Sequence, residues 1–276
     1  MIRRAARTTA VVALLAALAP AADDDAAAKK RPEIMQAAVT ALEAKSADLK
    51  PEALAPGPGP LLRYADPTRG GGKESANNVL VDAGVWRLGG AGRPTALVTL
   101  EIYRTPGGKH LLSYEFLSLN EAKFTLTHKA EAVRWEATAS GLELKPLPDA
   151  PKPADAAPAR LAQMRQAARR FGATETFSRE TVECRLIAQP LDRYSSDADR
   201  VVDGAIFALA NGTNPEIGVV LEAGPGGWRY GVVRLGAAEA AVTLDGRPVA
   251  AFERFDARGR RDGPYNNGAH TLDPGK

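Results

Sequence analysis

Two pairs of carboxylates are the residues best placed to do chemistry. Asp82 and Glu101 flank the stretch VDAGVWRLGGAGRPTALVTLE (residues 81–101), and Asp203 and Glu222 flank VDGAIFALANGTNPEIGVVLE (residues 202–222). Each stretch reads as two apolar strands around a turn, so each is expected to form a hairpin with an acid near both outer ends. With the first turn centred between Ala91 and Gly92 and the second at Gly212 and Thr213, alternation sets Asp82 opposite Glu101 and Asp203 opposite Glu222 on one mixed face. Carboxylates about 5 Å apart repel by roughly 3 kcal/mol at an effective dielectric near 20. Such a pair needs a cation, a shared proton, or splayed side chains in water. General acid/base catalysis, a calcium-type site and retaining glycoside hydrolysis all use acids at about that separation.

The competing reading is structural. Arg63 lies in PLLRY and Arg193 in PLDRY, two matched segments upstream of the hairpins. Either guanidinium can neutralise the first acid of its hairpin, giving ion pairs Arg63–Asp82 and Arg193–Asp203. A catalytic pair is needed once, whereas this arrangement occurs twice. Structural ion pairs are therefore expected, and Asp82, Glu101, Asp203 and Glu222 are catalytic candidates only under the alternative reading of a carboxylate-pair, glycosidase-like hydrolase.

The hairpins also align with each other without a gap, with about seven of twenty-one positions identical. PLLRY answers PLDRY upstream, and FTL (124–126) answers VTL (242–244) downstream. Around this internal repeat, helical spacing of Ile34, Met35, Ala38 and Leu42 predicts a helix from Pro32 that ends by Lys50. A second helix is predicted over ARLAQMRQAARRF, after the Pro/Ala-rich stretch PLPDAPKPADAAPA. The expected fold class is α+β: two related antiparallel β-rich modules, each preceded by a helix, packed with pseudo-twofold symmetry. The expected boundaries are a signal peptide (1–21), a helix plus first β module (22–146), a linker (147–158), a helix plus second β module (159–252), and a structureless tail (253–276).

The leader sets the compartment. Arg3, Arg4 and Arg7 precede an apolar run from Ala10 to Leu18, with small residues at Ala19 and Ala21, the layout of a secretory signal peptide cut near Ala21 or Ala22. The run is too short to span a bilayer and no later segment is longer, so an exported protein without a transmembrane span is expected. The leader also accounts for the basic pI. Removing its three arginines leaves the 36 basic side chains at 33, equal to the 33 acidic ones, so no charge argument for nucleic acid survives. Cys184 is the single cysteine and reads as a buried thiol in a strand.

Other signals are weak. RGGGKES (69–75) has Pro67 where a phosphate loop needs its first glycine and reads as a flexible contact loop. His110, His128 and His270 are scattered in sequence, so neither a histidine metal site nor a cofactor is expected. Asn211-Gly212-Thr213 is formally a glycosylation sequon but reads first as a turn. Tyr64, Tyr194, Trp86, Trp135 and Trp228 could stack on a sugar, although their strand positions favour core packing. A cell-envelope or glycan partner is thus left open, without a residue that singles it out.

At PLLRYADP, GLELKPLPDAP, RLAQMRQAARRF, RLIAQPLDRY and VDGAIFALANGTNPE, covering most of residues 60–250, the chain resembles an uncharacterised family of exported bacterial proteins. The resemblance implies export and a helix-plus-sheet architecture. It brings no activity, cofactor or catalytic residue, so the expectation is a non-catalytic binding or structural module.

Overall fold

The computed structural model describes residues 25–70, 78–128, 133–177 and 180–272. The expected signal peptide (1–21) and most of the 69–75 loop fall outside them.

Helix α1 (Asp25–Thr40) is followed by β1 (Glu43–Lys45), β2 (Leu62–Gly70), β3 (Val79–Leu88), β4 (Ala96–Arg104), β5 (His110–Ser118), β6 (Phe124–His128), β7 (Val133–Ala137) and the short β8 (Lys145–Pro146). Helix α2 (Ala157–Ala168) precedes β9 (Phe171–Phe177), β10 (Glu180–Leu186), β11 (Asp192–Ser196), β12 (Val201–Asn211), β13 (Asn214–Gly224), β14 (Gly227–Arg234), β15 (Glu239–Leu244), β16 (Arg247–Phe252) and β17 (Tyr265–Leu272). Of the described residues 52% lie in strands and 12% in helices, which overturns the expected α+β class: this is a mainly β protein. The physical reason is that the helices are only facings. Met35, Ala38 and Val39 of α1, and Met164, Ala167 and Ala168 of α2, each cover one patch of a sheet, while strand pairing builds the rest.

Helix α1 also differs from its predicted span. It begins before Pro32, runs through it, and stops at Thr40. Beyond that point Glu43–Lys45 join the ladder of β6, and the Ser46 hydroxyl bonds the Lys123 carbonyl at 2.7 Å, so tertiary pairing overrides helical spacing there.

The strands form three sheets. One has five strands in the order β17-β5-β4-β3-β2, one has nine built around β12, β13 and β14 with β11 pairing β12 at the side, and one has three, β1-β6-β7. Three apolar clusters follow from the alternation of side chains on β3, β4, β12 and β13. Trp86, Val98 and Leu100 face α1 and the three-stranded sheet. Phe207, Val219 and Leu221 face α2. The opposite faces meet: Ala83, Val85 and Leu97 pack with Ile206, Ala208 and Val220 in one shared cluster. The hairpins are therefore buried on both faces, which explains strands that read as nearly continuous apolar runs.

The last segment departs furthest from expectation. Residues 253–276 lack periodic hydrophobicity, yet Tyr265–Leu272 leave the second half of the chain and pair antiparallel with β5, from Tyr265↔Leu117 to Leu272↔His110. An edge strand buries few of its side chains, so it carries little pattern to read.

Candidate functional site

The second hairpin turns where the sequence places its turn: Asn211 pairs with Asn214 around Gly212 and Thr213, and Gly212 takes a φ of +60° that suits glycine. A bulge between Leu209 and Ala210 then shifts the ladder by one residue. Beyond it Asp203 faces Ala223, and Glu222 faces Gly204. The first hairpin has the same offset, with Asp82 opposite Ile102 and Glu101 opposite Ala83. A one-residue slip sends a side chain to the other face of the sheet. The two acids of each hairpin therefore lie on opposite faces, and the expected opposed pairs do not form.

Each acid has donors of its own. Asp82 accepts from Arg63 Nε at 2.9 Å and from Arg63 Nη2 at 2.6 Å. Asp203 accepts from Arg193 Nε at 2.9 Å and Nη2 at 2.7 Å, and from Arg160 Nε of α2 at 3.0 Å. Hydrogen bonds to these aspartates, partly opposed by burial, raise both Arg63 and Arg193 above the ordinary arginine range. Arg160 was not foreseen. It ties α2 to the sheet through Asp203, and its Nη1 also reaches the carbonyls of Ala154 and Asp155 just before that helix.

The glutamates lie on the inner faces, where the two halves of the molecule meet. Tyr64 Oη donates to Glu101 Oε1 at 3.0 Å and Tyr103 Oη to Glu101 Oε2 at 2.8 Å. Tyr194 Oη donates to Glu222 Oε1 at 2.8 Å, in the same row as Gly204. A Cβ at Gly204 would lie 2.5 Å from the Tyr194 ring, so glycine is what lets the ring cross the strand. Glu222 is fully buried and receives both arms of Arg93, Nε at 2.7 Å and Nη2 at 3.0 Å, as well as Arg229 Nη2 at 3.0 Å. Burial opposes the charge on Arg93, but the hydrogen bonds and charge of Glu222 outweigh it and raise the guanidinium. Burial, reinforced by Glu222, likewise holds the Tyr194 hydroxyl well above its ordinary range. Arg93 comes from the β3–β4 turn, so this cluster joins the two hairpins. Arg87 of β3 does the same with Asp192 of β11 at 2.7 Å.

A cavity of about 120 Å³ on the same seam is lined by Glu101, Glu115, Glu216, Tyr103 and Phe177. Burial, then the charges of Glu101 and Glu216, push the Glu115 carboxyl well above the ordinary glutamate range.

The remaining candidates are placed as follows. Trp86, Trp135, Trp228, Tyr64 and Tyr194 are all buried, and none offers a free face to a sugar. Trp86 Nε1 donates to Gln36 of α1 at 3.0 Å. Asn211 turns its amide onto buried Glu175 at 2.8 Å, and Cys184 is buried. Two of the histidines scattered in sequence meet in space: the rings of His270 and His128 lie 5.6 and 6.4 Å from that of Tyr114. Among the described residues no group of three or more His, Cys, Asp or Glu is arranged to hold a metal ion.

Comparison of the chain with protein families, with characterised proteins and with solved structures finds no match.

Proposed function

We propose that the protein is an exported, non-catalytic binding or structural module of the bacterial cell envelope, related to the family of exported proteins that its motifs resemble. The observation that carries this reading is the engagement of all four candidate acids: Asp82 and Asp203 by arginines, Glu101 by two tyrosines, Glu222 by two arginines and a tyrosine. A hydrolytic pair needs two carboxyl groups converging on one bond. Here the members of each pair point away from each other across a sheet.

The matched contacts also support reading the hairpins as copies of one ancestral unit. Arg63, Tyr64, Asp82 and Glu101 bond one another as Arg193, Tyr194, Asp203 and Glu222 do. Retention of such contacts in both copies fits a duplicated fastening.

The test is cell fractionation with N-terminal sequencing, joined to an assay on chromogenic glycosides. An exported form beginning near Ala22 or Asp23, without glycoside turnover, is expected. A cytosolic protein that keeps its leader overturns the export reading, and turnover abolished by Glu222→Gln overturns the non-catalytic one.

A further inference from the structure

The loop between β16 and β17, together with β7 and the edge strand β17, forms a second, open cavity of about 190 Å³. Its lining includes Arg134, Arg260 and Arg261, the amide side chain of Asn267, and the bare backbone of Gly259 and Gly268. No acidic side chain lines it among the described residues. Arg134 is already bonded to Glu136 at 2.6 Å. The guanidinium groups of Arg260 and Arg261 have no carboxylate partner among the described residues, although this loop also holds Asp256, which pairs with Arg258, and Asp262.

The two free arginines sit on a fixed frame. Glu136 N–H donates to the Arg261 carbonyl at 2.6 Å, and Gly263 N–H donates back to the Glu136 carbonyl at 3.1 Å. Trp135 Nε1 bonds the Gly263 carbonyl at 3.0 Å, Ser118 N–H bonds the Pro264 carbonyl at 2.8 Å, and buried Asn266 Nδ2 bonds the Arg260 carbonyl at 3.2 Å. The turn before them is bent by Gly259, with φ +80°. All these anchors use backbone atoms of the arginine segment, which leaves the guanidinium groups available. As an edge strand among the described residues, β17 turns every second peptide N–H away from β5, and the Asn267 N–H is taken by its neighbour Asn266 Oδ1 at 2.8 Å. Two planar five-donor forks, with no acid in the lining among the described residues, suit a tetrahedral oxyanion of more than one negative charge.

We infer that this cavity binds a phosphoryl group, with Arg260 and Arg261 as its principal ligands and the Asn267 side chain beside them. The inference goes beyond the proposed function and does not depend on it, because the site lies away from the four acids and holds whether or not the chain is exported. The cavity has room for a phosphate and part of the group that bears it.

Calorimetric titration of the full chain with inorganic phosphate, at constant low ionic strength, tests the assignment. Saturable one-to-one binding is expected, much tighter than that of acetate. Arg260→Gln and Arg261→Gln should each weaken it about tenfold, the loss of one charge-assisted contact. Arg254→Gln removes a charge from the same loop outside the cavity and should leave binding unchanged. Equal response to phosphate and acetate, or an equal loss in Arg254→Gln, overturns the site. Arg260→Lys and Arg261→Lys keep the charge and remove the fork; they serve if a glutamine variant misfolds, and wild-type affinity in both also overturns it. Titration with glucose 1-phosphate and co-sedimentation with phosphatidylglycerol vesicles then separate a glycan phosphate from a lipid headgroup as the source.

Discussion

Arg93, at the tip of the first hairpin, closes two nitrogens of its guanidinium on Glu222 near the outer end of the second, at 2.7 and 3.0 Å, with the glutamate fully buried. The contact crosses the seam between the two halves of the chain, and it makes the opposed faces of the hairpins one body. Arg93→Ala leaves Glu222 buried with fewer donors, and removal of one partner from such a pair typically costs about 3 kcal/mol. Urea denaturation should show a lower midpoint in Arg93→Ala and a smaller loss in the double variant Arg93→Ala/Glu222→Gln. Additive losses would mean the two residues do not act on each other.

The two aspartate fastenings should differ in strength. Asp203 is held by Arg193 and by Arg160, whose side chain is 11% exposed, whereas Arg63 at Asp82 is 50% exposed. Asp203→Ala strands a mostly buried arginine and releases α2, so a loss of about 3 kcal/mol is expected. Asp82→Ala leaves its arginine in water and should lose about 1 kcal/mol. Thermal melts of the two variants measure the difference, and equal shifts would contradict the role given to Arg160.

Glu115 makes stability depend on pH. Its carboxyl is raised in the folded state by burial and by Glu101 and Glu216, so between the ordinary glutamate value of about 4.3 and the raised value the folded chain binds more protons than the unfolded one. By linkage, the contribution of Glu115 to stability falls as pH rises through that window. Glu115→Gln removes the titration. The variant should be more stable than the parent at pH 8, with the difference shrinking towards pH 4. A difference that does not vary with pH would show that the carboxyl is not raised.

Truncation at residue 264 removes β17, uncovers the edge of β5, and takes away Tyr265, whose ring lies 4.7 Å from the guanidinium carbon of Arg234 in β14. A fall in melting temperature on the order of 10 °C is expected. Concentration-dependent association should accompany it, because an open edge templates pairing with another chain. Scanning calorimetry and size-exclusion chromatography at two concentrations check both outcomes.

Much of this frame was legible before any coordinates. The turn at Gly212 and Thr213 follows from Asn-Gly between apolar runs, and the arginine–aspartate contacts follow from the matched PLLRY and PLDRY segments. The bulge at Leu209/Ala210 was not legible, because an apolar run buried on both faces has no polar beat to reveal a shifted register. That one residue decides whether Glu222 stands beside Asp203 or behind it. Arg93 carries no signal in the sequence for a related reason: its partner lies 129 residues away, and nothing local marks a turn arginine as an interior ligand. The loop at Arg260 and Arg261 shows no periodicity in the sequence because backbone hydrogen bonds to β7 hold it, and these leave no trace in side-chain pattern.

The return of β17 to β5 also fixes an order of events. Ser113 has no neighbour on that side until Ala269 has been made, so the five-stranded sheet stays one strand short throughout synthesis of everything after it. Closure over so long a span is slow, because the entropy of bringing the ends together is lost before any contact rewards it. The sheet therefore reaches its full width only once residues 265–272 exist, however early its other four strands pair.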